Sequence, residues 1–281
     1  MEFTSVAGEQ RYAGLVRVAS HTVVGLDFDG TLSPIVDDPR EAHIHPKAGD
    51  VLIDLAAEVA TIAVITGRPA RQALDLGGLE QVGNAIGDLG KELHVFGQYG
   101  NERWSSTRRR VLSPRPPAGL AGFLGDLPRM LRSVGAEDAF LEDKGLAVAV
   151  HVRRLADPQA AYDALLPLIR ERARRADLVV EPGRFVIEIR SPGMHKGIAV
   201  ETLTDEVRAS GFLFVGDDLG DLEAFEAVAA LRASGMSTLL VCSASEEESA
   251  LVPLADVVVD GPDGVLDLLA EFTADARERR V

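Results

Sequence analysis

Short unbroken apolar runs alternate with stretches of helical periodicity along much of the chain. Thr22 to Phe28 predicts a first core strand, because a strand covered on both faces is apolar throughout. From Ala48 to Val59 the apolar residues fall at helical spacing, and Thr61-Ile62-Ala63-Val64-Ile65 returns to an unbroken strand pattern. A further helix is expected around Pro69 to Leu76, with Pro69 suited to a first helical turn. This alternation predicts an α/β fold in which helices flank a parallel sheet.

The middle of the chain reads differently. A Pro- and Gly-rich connection near Val111 to Gly122 leads to a helix around Leu124 to Val134. Ala139 to Val152 suggests a strand pair or one long strand, and Asp157 to Arg174 an amphipathic helix. Leu178 to Glu181 and Phe185 to Arg190 form another pair around Pro182-Gly183. A smaller, hairpin-rich α/β insert over 102–191 is therefore expected to interrupt a core made of 1–101 and 192–281. The core pattern resumes with a helix from Lys196 and a strand, Phe212 to Val215, ending at Gly216-Asp217-Asp218. Later strands are expected at Thr238 to Cys242 and Asp256 to Val259. Ser245 followed by Glu246, Glu247 and Glu248 predicts a capped helix running to Leu251.

Composition narrows the function. The 281 residues carry a formal net charge of −15, which argues against a nucleic-acid partner, since phosphate backbones demand clustered positive charge. Arginines do gather at Arg108-Arg109-Arg110 and along Arg170 to Arg175, and both groups read as solvated surface. Cys242 is the single cysteine, so neither an internal disulfide nor a thiolate metal cluster is available; its apolar surroundings predict a buried thiol. No apolar run approaches the roughly 20 residues that span a bilayer. Near the amino terminus stand Glu2, Glu9 and Gln10, where a signal peptide is basic and then apolar. A cytoplasmic enzyme without a membrane partner is the expectation, with a monomer as the default.

Four groups carry candidate chemistry. Asp27 and Asp29 follow the first core strand one residue apart, so in extended chain they share a face. Two carboxylates that close repel unless a cation or a shared proton neutralises them. Thr66-Gly67-Arg68 follows the strand ending at Ile65, Lys196 opens a helix, and Asp217-Asp218 with Asp221 follows the strand ending at Val215. These types suit phosphoryl transfer. A carboxylate can attack phosphorus, a second can protonate the leaving oxygen, and a hydroxyl and an ammonium can hold the phosphoryl oxygens. Magnesium prefers such hard oxygen ligands and offsets the repulsion between anions. Taken singly, each group also fits a surface turn, a helix cap or a solvated lysine. A phosphate-accepting regulatory domain draws on similar residues, but would place its aspartate after a later strand and lack Asp29.

With DFDGT (27–31) at its head, the set resembles the haloacid dehalogenase superfamily, a Rossmann-like fold of phosphohydrolases. The resemblance implies Asp27 as nucleophile, Asp29 as general acid and base, and Thr66 and Lys196 as ligands of the phosphoryl group. It also implies magnesium held by Asp27, Asp217 and the backbone carbonyl of Asp29, with Asp218 and Asp221 in support.

The insert bears on substrate. Glu142, Lys144 and Arg153 bracket one β-rich run, and Glu188 lies in another. Glutamates accept from sugar hydroxyls, while Lys and Arg donate to hydroxyls or phosphate. Plain alternation on a half-exposed sheet gives the same pattern. ITGR (65–68), YGNERW (99–104), LEDKGLAVAVHVR (141–153) and VIEIRSPGMHKGIA (186–199) resemble the motifs of trehalose-6-phosphate phosphatases. That resemblance implies a small sugar phosphate as substrate, with Glu142, Lys144 and Glu188 on the distal glucose. It implies Arg68 and Arg153 along the sugar, and contacts from Gly100, Asn101 and Glu102. Gly220 and Leu222 depart from the family's fourth motif, and Tyr99 stands where a His is common. His151 and His195 have no second ligand at close spacing and read as structural or rim groups. The rival readings are a phosphatase for sucrose 6-phosphate or a mannosyl phosphate, and a non-catalytic sugar-phosphate sensor.

Overall fold

The computed structural model describes residues 2–36, 38–244 and 251–280. The chain opens with β1 (Glu2–Phe3), α1 (Val6–Val16), β2 (Thr22–Leu26), α2 (Ala48–Ala56) and β3 (Thr61–Ile65). Next come α3 (Ala70–Gly77), α4 (Leu79–Asp88), β4 (Leu93–Gly97) and β5 (Glu102–Ser105). The middle holds α5 (Ala118–Ser133), β6 (Phe140–Asp143), β7 (Ala147–His151), α6 (Pro158–Arg174), β8 (Val179–Gly183) and β9 (Val186–Arg190). The last part holds α7 (Gly197–Val207), β10 (Gly211–Gly216), α8 (Leu222–Ala233), β11 (Ser237–Ala244), β12 (Val257–Asp260) and α9 (Gly261–Arg280).

Two compact units result: Met1–Leu112 with His195–Val281, and Ser113–Met194. The larger contains an eight-stranded sheet in the order β1-β12-β11-β10-β2-β3-β4-β5. Its six inner strands are parallel, and β1 and β5 pair antiparallel at the edges. Alternate residues of each inner strand enter different cores, as the period of two requires. Val24, Leu26, Ile62 and Val64 pack with helices α1, α2, α4 and α9, whereas Val23, Ala63, Ile65 and Phe212 pack with α7 and α8. Burial on both faces is why these strands read as unbroken apolar runs. Successive strands step one way from β2 to β3 and β4, and the other way through β10, β11 and β12. In open α/β sheets ligands collect beside the carboxyl ends of strands at such a reversal.

The smaller unit has an antiparallel sheet, β6-β7-β9-β8. On one face Val148, Val150, Ile187 and Ile189 pack with Leu120, Phe123 and Leu127 of α5 and Leu165 and Ile169 of α6. Asp157 caps α6 by accepting from Ala160 N at 3.0 Å, and Pro158 opens its first turn.

Several expectations need correction. Residues 102–112 belong to the larger unit, because β5 pairs with β4 from Gly97–Glu102 to His94–Ser105 and Arg103 bridges to Leu112. At the other boundary 192–194 go with the smaller unit, where Arg190 Nη1 donates to the Met194 carbonyl. Helix α5 begins at Ala118, inside the expected connection, since Leu120, Phe123, Leu127 and Leu131 bury a helical stripe that overrides its glycines and Pro128. Ala139 to Val152 is a strand pair. Pro69 precedes α3 as its N-cap and lies outside the first turn. The apolar pattern named no element for α1, α4, β4, α8 or α9. The helix expected from Ser245 falls largely outside the described residues. Cys242 is buried in β11. No described helix is long and apolar enough to cross a membrane.

Candidate active site

The ends of β2 and β10 and the start of α7 bring four charged side chains into one buried cluster. Asp27 directly follows β2, its N–H donating to the Val215 carbonyl of β10 at 2.9 Å. Lys196 Nζ lies 2.6 Å from Asp27 Oδ1 and 2.8 Å from Asp221 Oδ1. The other oxygen of Asp221 accepts from Asp217 N at 3.0 Å, so one side chain orients both its neighbours. Ligand atoms of Asp27, Asp217 and Asp221 all lie within 4.8 Å of one another.

Gly30 makes this approach possible. It takes φ +67°, and a Cβ there would stand 2.1 Å from Asp217 Oδ2. Ser243 Oγ, from β11, donates to the Gly30 carbonyl at 2.6 Å and holds the turn. The Asp218 side chain is exposed and accepts from Gly220 N at 2.8 Å, which closes the turn after β10.

Three carboxylates face a single ammonium, all buried. Burial, and after it the Asp221 charge, pushes the Asp27 carboxyl well above the usual range. Burial and then Asp27 push Asp217 up to about 10, and burial raises Asp221 to about 6 against the pull of Lys196. Burial would lower the Lys196 ammonium, but Asp221 and Asp27 hold it well above its ordinary value. Carboxylates become this hard to ionise when negative charge exceeds local positive charge. A divalent cation fits the deficit, and the hard oxygen donors suit magnesium.

Asp221, expected in support of the metal, lies in the side-chain trio with Asp27 and Asp217. Asp29 was expected to serve through its backbone carbonyl, and its carboxylate faces Arg68. Arg68 Nε and Nη2 reach the two Asp29 oxygens at 2.7 Å each, and Nη1 donates to the Pro39 carbonyl at 2.7 Å. The guanidinium also lies 5.4 Å from the centre of the Phe28 ring. Arg68, expected along a sugar, here grips Asp29. Thr66 Oγ1 accepts from Arg68 N at 3.1 Å, which leaves its hydroxyl hydrogen to donate elsewhere.

Gly100, Asn101 and Glu102 are tied into the turn after β4. Gly100 is left-handed at φ +95°, Asn101 Nδ2 donates to the Gln98 carbonyl at 3.0 Å, and Glu102 Oε2 accepts from Ala70 N at 2.7 Å. Glu102 thereby satisfies the first turn of α3, which Pro69 has no side chain to cap.

In the smaller unit, Glu142, Ala149, Glu188 and Glu181 lie in one cross-strand row and share a face. Lys144 Nζ meets Glu188 Oε2 at 2.5 Å, and His151 Nε2 meets Glu142 Oε2 at 3.0 Å. Arg153 is exposed just beyond β7. Sequence reasoning missed the Asp29 partnership of Arg68, the Gly30–Asp217 approach and Ser243. A glycine following DxD was the one local signal for any of these.

A parallel sheet whose central strand ends in this aspartate pair, with a lysine and further aspartates from neighbouring strand ends, defines a haloacid-dehalogenase-type hydrolase fold. A family model described as trehalose-phosphatase matches residues 25–92 and 134–257, and the chain belongs to that family. An uncharacterized glycosyl hydrolase of Mycobacterium tuberculosis is 33% identical over 232 residues, 78% of this chain and 16% of that protein. The trehalose-phosphate phosphatase of Mycolicibacterium paratuberculosis is 31% identical over 227 residues, 78% of this chain and 54% of that protein. The chain thus spans about half or less of the length of these curated relatives. The C-terminal domain of C. albicans trehalose-6-phosphate phosphatase shares the fold with a TM-score of 0.75 at 18% identity. That match covers 97% of this chain and 98% of the other.

Proposed function

We propose that the chain is a magnesium-dependent phosphatase that hydrolyses trehalose 6-phosphate to trehalose and inorganic phosphate. The observation that carries this reading is the buried trio Asp27, Asp217 and Asp221 around Lys196, with its unbalanced negative charge. Asp27, Asp217 and the backbone carbonyl of Asp29 would hold magnesium, with Asp221 beside them. When bound, the ion supplies positive charge that lets an anionic carboxylate meet an anionic phosphate.

The protein's own groups then divide the work. Lys196 fixes Oδ1 of Asp27 and, with the Thr66 hydroxyl, holds the phosphoryl oxygens. Asp27 attacks phosphorus, and the bond to the sugar oxygen breaks as Asp29 delivers a proton to it. An acyl phosphate on Asp27 is left. Water, giving its proton to Asp29, attacks that phosphorus and releases phosphate and the free carboxylate. Arg68 keeps the Asp29 carboxyl oriented through both steps. Family membership supports trehalose 6-phosphate, and the polar row of the smaller unit, with Lys144 and Arg153, supports recognition of a sugar.

A panel of phosphorylated sugars, assayed with magnesium for phosphate release, tests the reading. Trehalose 6-phosphate is expected to give the highest kcat/KM. Glu142→Ala should raise KM for it by about tenfold, with a smaller effect on monosaccharide phosphates. Comparable turnover of unrelated phosphates, or a preference for sucrose 6-phosphate or a mannosyl phosphate, would sink the trehalose assignment. No magnesium-dependent turnover at all would point to a regulator or sensor.

A further inference from the structure

Two consecutive residues after β4 are left-handed without being glycine: Gln98 at φ 50° and Tyr99 at φ 57°. A Cβ makes that conformation costly, and it persists where surrounding contacts over-determine it. Both backbone N–H groups of this pair donate into the turn Thr66-Gly67-Arg68. Gln98 N donates to the Arg68 carbonyl at 2.8 Å, and Tyr99 N donates to the Thr66 carbonyl at 3.0 Å. The Tyr99 ring lies against Gly67, where an added Cβ would stand 2.8 Å from Cζ and 2.9 Å from the phenol oxygen. Gly67 itself is not left-handed. Its missing side chain is required by the ring, and its backbone conformation makes no such demand.

The geometry points to Tyr99 as a positioning residue, acting through Gly67 on Thr66 and Arg68. This inference rests on the phosphatase reading above. The strained Gln98-Tyr99 pair grips both ends of the 66–68 turn, and the ring covers its middle. Two groups leave that turn with roles in the proposed reaction. One is the Thr66 hydroxyl, and the other is the Arg68 guanidinium that orients Asp29. Without the ring the turn can rock, and a displacement near 1 Å at reacting groups costs on the order of 10²-fold in rate. In this scheme the effect of Tyr99 passes through the backbone of the 66–68 turn.

Three variants separate positioning from simple packing. Tyr99→Gly deletes the ring and at the same time suits the left-handed backbone, so the fold is not burdened. Its kcat on trehalose 6-phosphate should fall about tenfold or more, with KM and Tm changed much less. Gly67→Ala should also lower kcat, because its methyl meets the ring. The double variant should be far less impaired than the product of the two single losses, since the ring it would meet is gone. Tyr99→Phe, which keeps the ring, should rescue most of the activity lost in Tyr99→Gly.

Native turnover with an unchanged Tyr99→Gly would overturn the inference alone. So would single losses that simply multiply in the double variant. Absence of turnover by the native chain on every sugar phosphate would overturn the phosphatase reading, and this inference with it.

Discussion

Two buried carboxylate nodes in the larger unit have opposite charge balance. Around Lys196, three carboxylates share one ammonium. At the start of β12, one buried carboxylate, Asp256, is shared by two guanidiniums, Arg11 from α1 and Arg232 from α8. Asp256 also accepts from Leu240 N at 2.9 Å, and Arg232 donates to Thr238 Oγ1 at 2.8 Å. Helices α1 and α8 cover opposite faces of the sheet, so Asp256 ties the two layers together. Burial of charge is common to both places and identifies neither as a reaction centre. The sign of the imbalance separates them. A carboxylate matched by two guanidiniums needs no further cation, whereas a cluster short of positive charge suits the cation and anionic substrate of the proposed reaction.

The sharpest way to break this contrast is Asp27→Asn. Turnover should fall by at least about 10³-fold. The metal-free variant should nonetheless melt higher than the native chain, because one excess buried charge is gone. Full hydrolytic activity in this variant would remove Asp27 from the mechanism. Asp256→Ala should do the reverse. It frees both arginines, which can still reach water, and leaves the Leu240 N–H unmet, costing about 2 kcal/mol. Calorimetry should then show Tm lower by roughly 4–8 °C with kcat and KM unchanged. A kcat loss at constant Tm would show that the Asp256 node also serves catalysis.

The smallest expected effect is a pH slope. Burial, with the neighbouring carboxylates, raises Asp217 to about 10 and Asp221 to about 6 in the folded protein. A carboxyl whose folded value is raised stabilises the fold fully below its unfolded value of about 4. That contribution is lost as pH rises, through about 6 for Asp221 and about 10 for Asp217. In chelator, the native chain should therefore lose Tm relative to Asp217→Asn between about pH 5 and 9. Magnesium should shrink the gap, since the ion replaces the missing positive charge. A gap that stays level with pH would mean the cluster is not overloaded.

Local pattern made the inner sheet readable. Thr61–Ile65 forms the strand its apolar run predicts, because a strand covered on both faces needs no polar position. Edge and turn elements were harder to read. Glu102–Ser105 carries two charged residues, Glu102 and Arg103, so its pattern gave no sign that it extends the large sheet. The glycines and prolines near α5 signalled a loop, yet a four-residue apolar stripe won. Within the site, DFDGT, the Thr66 turn, Lys196 and Asp217 stood out because each follows a strand or opens a helix. The reach of Asp221 to Lys196, 25 positions earlier, had no local signature.

The division between the two kinds of knowledge follows from distance along the chain. Periods of two and 3.6 residues are properties of neighbours, so the order of strands and the side chains at their ends can be read directly. Which of those side chains meet depends on how the strands are laid side by side, and that is a matter of long-range pairing. Asp29 meets Arg68 from 39 positions away, and Gly30 lies against Asp217 because β2 and β10 are adjacent. The family resemblance placed Arg68 along a sugar; its grip on Asp29, with Phe28 beneath it and the Pro39 carbonyl accepting from it, came only from the packing.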